Sequence, residues 1–155
     1  MFEALPDDAF EAYRERVITR FTESFPEEDM PQEEAAARRF METLLPQGPQ
    51  TPGQHFESIV VGGQSVGRLW WAEQLDETPP RAYIYDLEVA EEHRGKGVGT
   101  AAMQALEDEA RRLGAEQVML SVFFKNSGAI RLYERLGFRP SETGKAGMRM
   151  SKPLP

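Results

Sequence analysis

The sequence has no cysteine and only two histidines, His55 and His93, and these absences exclude several chemistries at once. There is no disulfide framework, no thiolate zinc site and no thiol nucleophile, and two widely separated histidines make a poor metal pair, so no metal is expected. No apolar run approaches the roughly 18 residues that span a bilayer. No basic segment followed by an apolar core comes after Met1, so neither a secretory leader nor membrane association is expected and the default location is cytoplasmic. Basic charge is scarce as well, with 18 Lys and Arg against 26 Asp and Glu. An acidic surface of this kind disfavours a nucleic-acid partner, whose recognition needs a basic footprint. The imbalance is local: residues 1–57 hold five arginines and 13 acidic residues, a net of −8, whereas residues 58–155 hold 13 of each sign. Acid at the front would mildly attract a cationic substrate, or simply form a solvated helical face.

What is present reads as one domain of 155 residues with a change of period in the middle. Pro6-Asp7-Asp8 offers a cap and an acidic first turn, and Phe10, Tyr13, Val17 and Phe21 then recur at helical spacing up to Pro26. A second helix is predicted from Pro31, with Glu33-Glu34 in its first turn, to about Leu45. The loop PQGPQTPG follows at 46–53. Strands are predicted in HFESIVV and SVGRLWWAEQL, flanking a Gly62-Gly63-Gln64 hairpin signal, and in AYIYDLEV. Then come a helix from Val98 to Leu113 closed by Gly114, a strand EQVMLSVFF, a helix SGAIRLYERLG, and short strands around GF and AGMRM. This order implies a mixed α/β sheet with helices packed on it.

Two short motifs invite a chemical reading that their context disfavours. Gly63-Gln64-Ser65-Val66-Gly67 spells the GxSxG nucleophile elbow, but an elbow needs a helix after the serine, and an aromatic, strand-like RLWW follows. Gly97-Val98-Gly99-Thr100-Ala101-Ala102 spells a dinucleotide fingerprint, which would make the protein an oxidoreductase. That fold wants a ribose-binding acid at the end of the next strand, where this chain has Lys125-Asn126. The P-loop pattern is absent. What remains is a turn, Arg94-Gly95-Lys96-Gly97-Val98-Gly99, between a strand and a helix. Backbone N–H groups, the helix dipole and glycines without Cβ make such a turn a ready phosphate cradle.

With these residues the chain resembles the GNAT superfamily of acyl-CoA-dependent N-acetyltransferases. Arg94, Gly97 and Gly99 stand at the defining positions of its R/Q-x-x-G-x-G/A signature. Asn126, Ala129, Leu132, Tyr133, Gly137 and Phe138 match its N-x-x-A-x-x-L-Y-x-x-x-G-F segment. The resemblance covers about residues 81–140 and matches residues 1–55 only loosely. It implies an α+β fold, with a mixed, mostly antiparallel central sheet of about six to seven strands and helices on both faces. Residues 1–155 would form a single N-acyltransferase domain in which the helical pair of residues 1–45 builds part of the acceptor groove.

The same resemblance implies acetyl-CoA as cosubstrate, no metal, and a small-molecule or peptide amine as acceptor; the family also admits a homodimer. Pyrophosphate would lie on the amides of Arg94, Gly95, Lys96, Gly97, Val98, Gly99 and Thr100. The pantetheine arm would pair with Leu87 and Val89 and touch Asn126. Tyr133 would be the general acid for the leaving thiolate, although its surroundings also suit a core aromatic. The base stays open: Asp86 and Glu88 are the nearest carboxylates and Glu88 is the candidate, while relatives that carry a glutamate place it where this chain has Tyr85 or Ser121. Trp70, Trp71, Tyr83 and Tyr85 are expected to form an aromatic cluster, either walling the groove or belonging to the core. Two other readings stay open, a catalytically silent acyl-CoA-binding module of the same fold and the dinucleotide oxidoreductase.

Overall fold

Proline punctuates the first fifty residues, and the structure follows the punctuation. In the computed structural model, which describes all of residues 1–155, α1 spans Phe10–Thr22 and α2 spans Met30–Leu44, with Pro31 in its first turn. Both lie in a compact unit of residues 5–54. The buried side chains of α1 are Phe10, Tyr13, Ile18 and Thr22, while Val17 and Phe21 are half-buried. The apolar stripe is therefore rotated from the expected one, because at 3.6 residues per turn positions 17 and 18 both fall within its width. Arg38 on α2 donates two hydrogen bonds of 2.8 Å to the Glu15 carboxylate on α1. That pairing holds the Glu15 carboxyl below its usual range, but an exposed pair contributes little to stability.

The second unit, residues 1–4 with 55–155, is built on a seven-stranded sheet. Its strands are β1 (Phe2–Ala4), β2 (Gln54–Val61), β3 (Gln64–Gln74), β4 (Arg81–Val89), β5 (Gln117–Phe123), β6 (Arg139–Thr143) and β7 (Gly147–Pro153), in the spatial order β1-β2-β3-β4-β5-β7-β6. β1 escaped the sequence reading because three residues are too few to show an alternation. β2 and β3 meet at a two-residue turn whose central glycines, Gly62 and Gly63, both have positive φ, as a tight hairpin requires. β4 and β5 are parallel because α3 (Val98–Leu113) carries the chain back between them. α4 (Ser127–Arg135) joins β5 to the terminal hairpin. Leu69, Trp71, Ile84, Leu120 and Met150 of the sheet share one core with Met103, Leu106 and Ala110 of α3 and Tyr133 of α4.

Gly67, the last residue of the apparent nucleophile elbow, lies within β3, where a Cβ would collide with the Glu88 carbonyl oxygen of β4. Ser65 stays on the same strand, its Oγ accepting a 2.6 Å hydrogen bond from Arg68. Close strand approach, and no hydrolase, accounts for that motif.

One buried charge ties α3 to β7. Glu107, 5% exposed, forms an ion pair of 2.6 Å with Lys152. Removing the lysine strands a carboxylate in the core, so Lys152→Met should cost about 2 kcal/mol, read as a melting temperature lower by about 6 °C. Glu107→Leu combined with Lys152→Met should recover most of that loss, and a double variant as unstable as the single one would remove the ion pair as the cause.

Candidate active site

The sheet opens where β4 and β5 part. Their parallel register runs from Arg81↔Gln117 to Ile84↔Leu120 and ends there, although β4 continues to Val89 and β5 to Phe123. The direction of the backbone groups along the outer half of β4 follows from its other neighbour. The Ala90 N–H donates to the Val66 carbonyl, and the pairs Arg68↔Glu88 and Trp70↔Asp86 share that parity along the antiparallel ladder. The N–H and C=O of Leu87 and Val89 therefore point away from β3, into the wedge. An extended ligand inserted there would be met as an added strand. Arg94 has already taken one of these groups, its Nε donating to the Val89 carbonyl at 2.9 Å.

A β-bulge at the mouth of the wedge rearranges the side chains. Trp70 pairs with Asp86 and Trp71 with Ile84, which makes Tyr85 the extra residue on β4. Tyr85 and Asp86 consequently share one face of the sheet with Glu88, the face opposite α3. Phe56, Trp70 and Tyr85 stack in sequence at 5.2 and 4.7 Å, and Tyr83 joins Tyr85 at 4.8 Å. Trp71 is not part of this ladder. It faces α3, stacks on His55 at 4.1 Å and donates its indole N–H to Glu57. The four-residue aromatic cluster expected from the sequence is thus divided between the two faces, as alternation along a strand dictates for neighbouring tryptophans. Burial raises the Glu57 carboxyl above its usual range, with the Trp71 hydrogen bond opposing that shift. On the ladder face the Tyr83 hydroxyl and Ser121 Oγ lie 2.6 Å apart, one register step beyond the last β4–β5 pair.

The three alternating glycines have two different jobs. Gly95 and Gly97 have φ of +73° and +82°, and a Cβ at either would meet nothing within 4 Å, so they shape an open turn that other residues adopt only under strain. Gly99 has no such backbone. It sits in the first turn of α3, and a Cβ there would come within 3.2 Å of Leu132 on α4, so its missing side chain lets the two helices approach. The first intrahelical bond of α3 joins Ala101 N–H to Gly97 O, and no side chain caps the helix. The amides of Val98, Gly99 and Thr100 are left as donors at the positive helix end. Arg94 and Lys96 stand exposed beside them.

α4 explains the second sequence segment as a set of caps that fix Tyr133. Asn126 Oδ1 accepts from the Ala129 N–H at 3.2 Å, closing the N-terminus. At the other end Gly137 turns left-handed with φ +99°, and Phe138 and Gly137 donate to the carbonyls of Tyr133 and Glu134. This is a Schellman closure, with Phe138 packed on Tyr133 at 5.8 Å between ring centroids. Tyr133 is 8% exposed. Its hydroxyl pKa is pushed up to about 12, chiefly by burial and then by the Asp86 carboxylate, so α4 brings the tyrosine within the electrostatic reach of the bulge residue on β4. Glu88 has no part in that shift. The bulge was illegible in the sequence, and with it the face of the sheet that Asp86 takes.

Parted parallel strands, a glycine turn at a helix N-terminus and a buried tyrosine are the features that the fold sets out, and the comparisons give the family. The model of the Acetyltransferase (GNAT) family matches residues 10–138, and the chain belongs to this family. It is 30% identical to the uncharacterized N-acetyltransferase YdgE of Bacillus subtilis (strain 168) over 88% of this chain and 89% of that one. To the uncharacterized N-acetyltransferase YycN of the same organism it is 37% identical, over 64% of each chain. The crystal structure of YycN superposes with a TM-score of 0.83 at 28% identity, over 94% of this chain and 96% of that one. The PaiA N-acetyltransferase of Thermoplasma acidophilum, crystallised in complex with coenzyme A, shares the fold with a TM-score of 0.69 at 17% identity, over 99% and 98%. Family membership overturns the dinucleotide-oxidoreductase reading of Gly97–Ala102.

Proposed function

We propose that the protein transfers the acetyl group of acetyl-CoA directly to a primary amine, with no covalent enzyme intermediate. The observation that carries this reading is the wedge between β4 and β5, with the Leu87 backbone edge pointing into it and the buried Tyr133 in the core against which Leu87 packs. A silent binding module would need the glycine turn but no buried tyrosine hydroxyl held protonated. The coenzyme A complex of the Thermoplasma acidophilum protein supports the choice of cosubstrate.

Acetyl-CoA would supply the activated acyl group as a thioester. For the phosphates the chain offers the amides of Gly95 to Thr100 and the charges of Arg94 and Lys96, whereas the Arg94 amide expected from the sequence to join them already donates to the Glu91 carbonyl; for the arm it offers Leu87, the Val89 N–H and Asn126. The Leu87 N–H points into the wedge and would stabilise negative charge developing on the acyl oxygen, an effect worth about 3 kcal/mol when one such donor is lost. A C–N bond forms and the C–S bond breaks. Tyr133, protonated across the physiological range, gives its proton to the departing sulfur, while a carboxylate on β4 accepts the proton that the amine must lose.

Between the two carboxylates we favour Asp86, which the bulge sets beside Tyr85 and whose charge acts on the Tyr133 hydroxyl, over Glu88, the residue favoured by the sequence. Asp86→Asn should lower kcat about 100-fold, and Glu88→Gln no more than about fivefold, in an assay of amine-dependent CoA release. The reverse order would return the base to Glu88. Calorimetric titration with acetyl-CoA, in parallel with NADH, tests the function itself: micromolar binding of acetyl-CoA alone is expected, and NADH binding or none would overturn the reading.

A further inference from the structure

We infer that the acceptor carries a carboxylate in addition to its reacting amine, and that Arg149 on β7 reads it; this rests on the acetyltransferase reading above. Arg149 is the direct cross-strand partner of Ser121, so it emerges on the ladder face beside the wedge. Ser121 and Arg149 are both exposed. Burial raises the Tyr85 hydroxyl above its usual range, and the hydrogen bond from Gln74, then the charge of Arg81 and last that of Arg149 oppose the shift. The ion-pair partner of Arg149, Glu142, lies 3.7 Å away and is itself 74% exposed, a loose contact that an incoming anion can displace. The mouth of the wedge therefore has Asp86 on the β4 side and a guanidinium on the β7 side. Strand spacing puts β7 about 10 Å from the middle of the wedge, and the arginine side chain spans part of that distance. The fork of an arginine matches a carboxylate, and an amine with a carboxylate several bonds away would satisfy both ends. This runs against the expectation from the acidic first 57 residues, which favours an acceptor with a second positive charge.

Three amines of one chain length separate these readings: 6-aminohexanoate, hexylamine and 1,6-diaminohexane. With saturating acetyl-CoA, kcat/KM from CoA release should be about tenfold higher for 6-aminohexanoate than for hexylamine, and lowest for the diamine. Arg149→Gln should erase that advantage through KM, Arg149→Lys should restore part of it, and retained acetyl-CoA affinity in both variants reports an intact fold. Calorimetric titration of the three amines into the protein saturated with CoA reads the same order when turnover of short amines is slow. Equal or better use or binding of the diamine, no preference in either readout, or an unaltered preference in Arg149→Gln would overturn the carboxylate. Absence of acetyl-CoA binding to the parent protein would instead overturn the acetyltransferase reading.

Discussion

Tyr133→Phe is expected to leave acetyl-CoA affinity at the parent value and to lower kcat by about 10²–10³-fold. Phenylalanine preserves the ring that Phe138 packs against at 5.8 Å and the Schellman closure made by backbone groups alone, so stability should change by less than about 1.5 kcal/mol. Only the hydroxyl is lost. A thiolate leaves far more readily when a proton reaches it, and a donor for that step must hold its proton at the working pH. With its pKa pushed up to about 12 by burial and by the Asp86 carboxylate, Tyr133 is protonated throughout the neutral and mildly alkaline range. The sign is specific. The parent enzyme should show no descending limb below about pH 10 from this group, because two units under the pKa only about 1% is ionised. Stopped or initial-rate CoA release across pH, with a calorimetric Kd for each protein, measures both. Equal turnover of the two proteins would reduce Tyr133 to a packing residue, and a falling limb near pH 8 that vanishes in the variant would show that its hydroxyl titrates far lower than its burial requires.

How far the site was legible depends on how local its parts are. The span of α3, from Val98 to the left-handed Gly114, was readable because apolar period, glycine stop and basic last turn lie within one segment. The helix of α4 was readable in SGAIRLYERLG as well, while the closure that Gly137 and Phe138 make behind it showed only as part of the family segment. Partners that are close only in space were not readable. β7 lies between β5 and β6, a placement that no pattern within AGMRM announces, and Arg149 lies opposite Ser121 only through that order. The bulge had no signature either. Trp70-Trp71 in one strand and YIYD in the next look like uninterrupted strand, yet one extra residue turns Tyr85 and Asp86 to the same face. The glycine turn was half legible. Its composition announced an open, anion-accepting loop, but only the path of α4 shows that Gly99 makes room for Leu132.

That division of labour yields the second large effect. Gly97→Val should abolish measurable acetyl-CoA binding, a loss of at least about 100-fold, for two reasons. The first is strain: valine at φ +82° belongs to a region that costs a non-glycine residue about 1–3 kcal/mol, and a turn that relaxes away from it would misdirect the amides of Val98, Gly99 and Thr100. The second is occlusion, because a branched side chain there enters the space, open to at least 4 Å, through which a phosphate would approach those amides. Gly114 ends the same helix with φ +105° and equally open surroundings, but it lies at the opposite terminus, where the dipole repels anions. Gly114→Val should therefore lower the melting temperature by a comparable amount and bind acetyl-CoA like the parent. If both variants lose the ligand together, strain transmitted along α3 is the cause and the phosphate assignment of the turn fails. If Gly97→Val alone loses it, transmitted strain is excluded and the cause lies in the turn itself, where the glycine keeps the amides aimed and the anion's path clear.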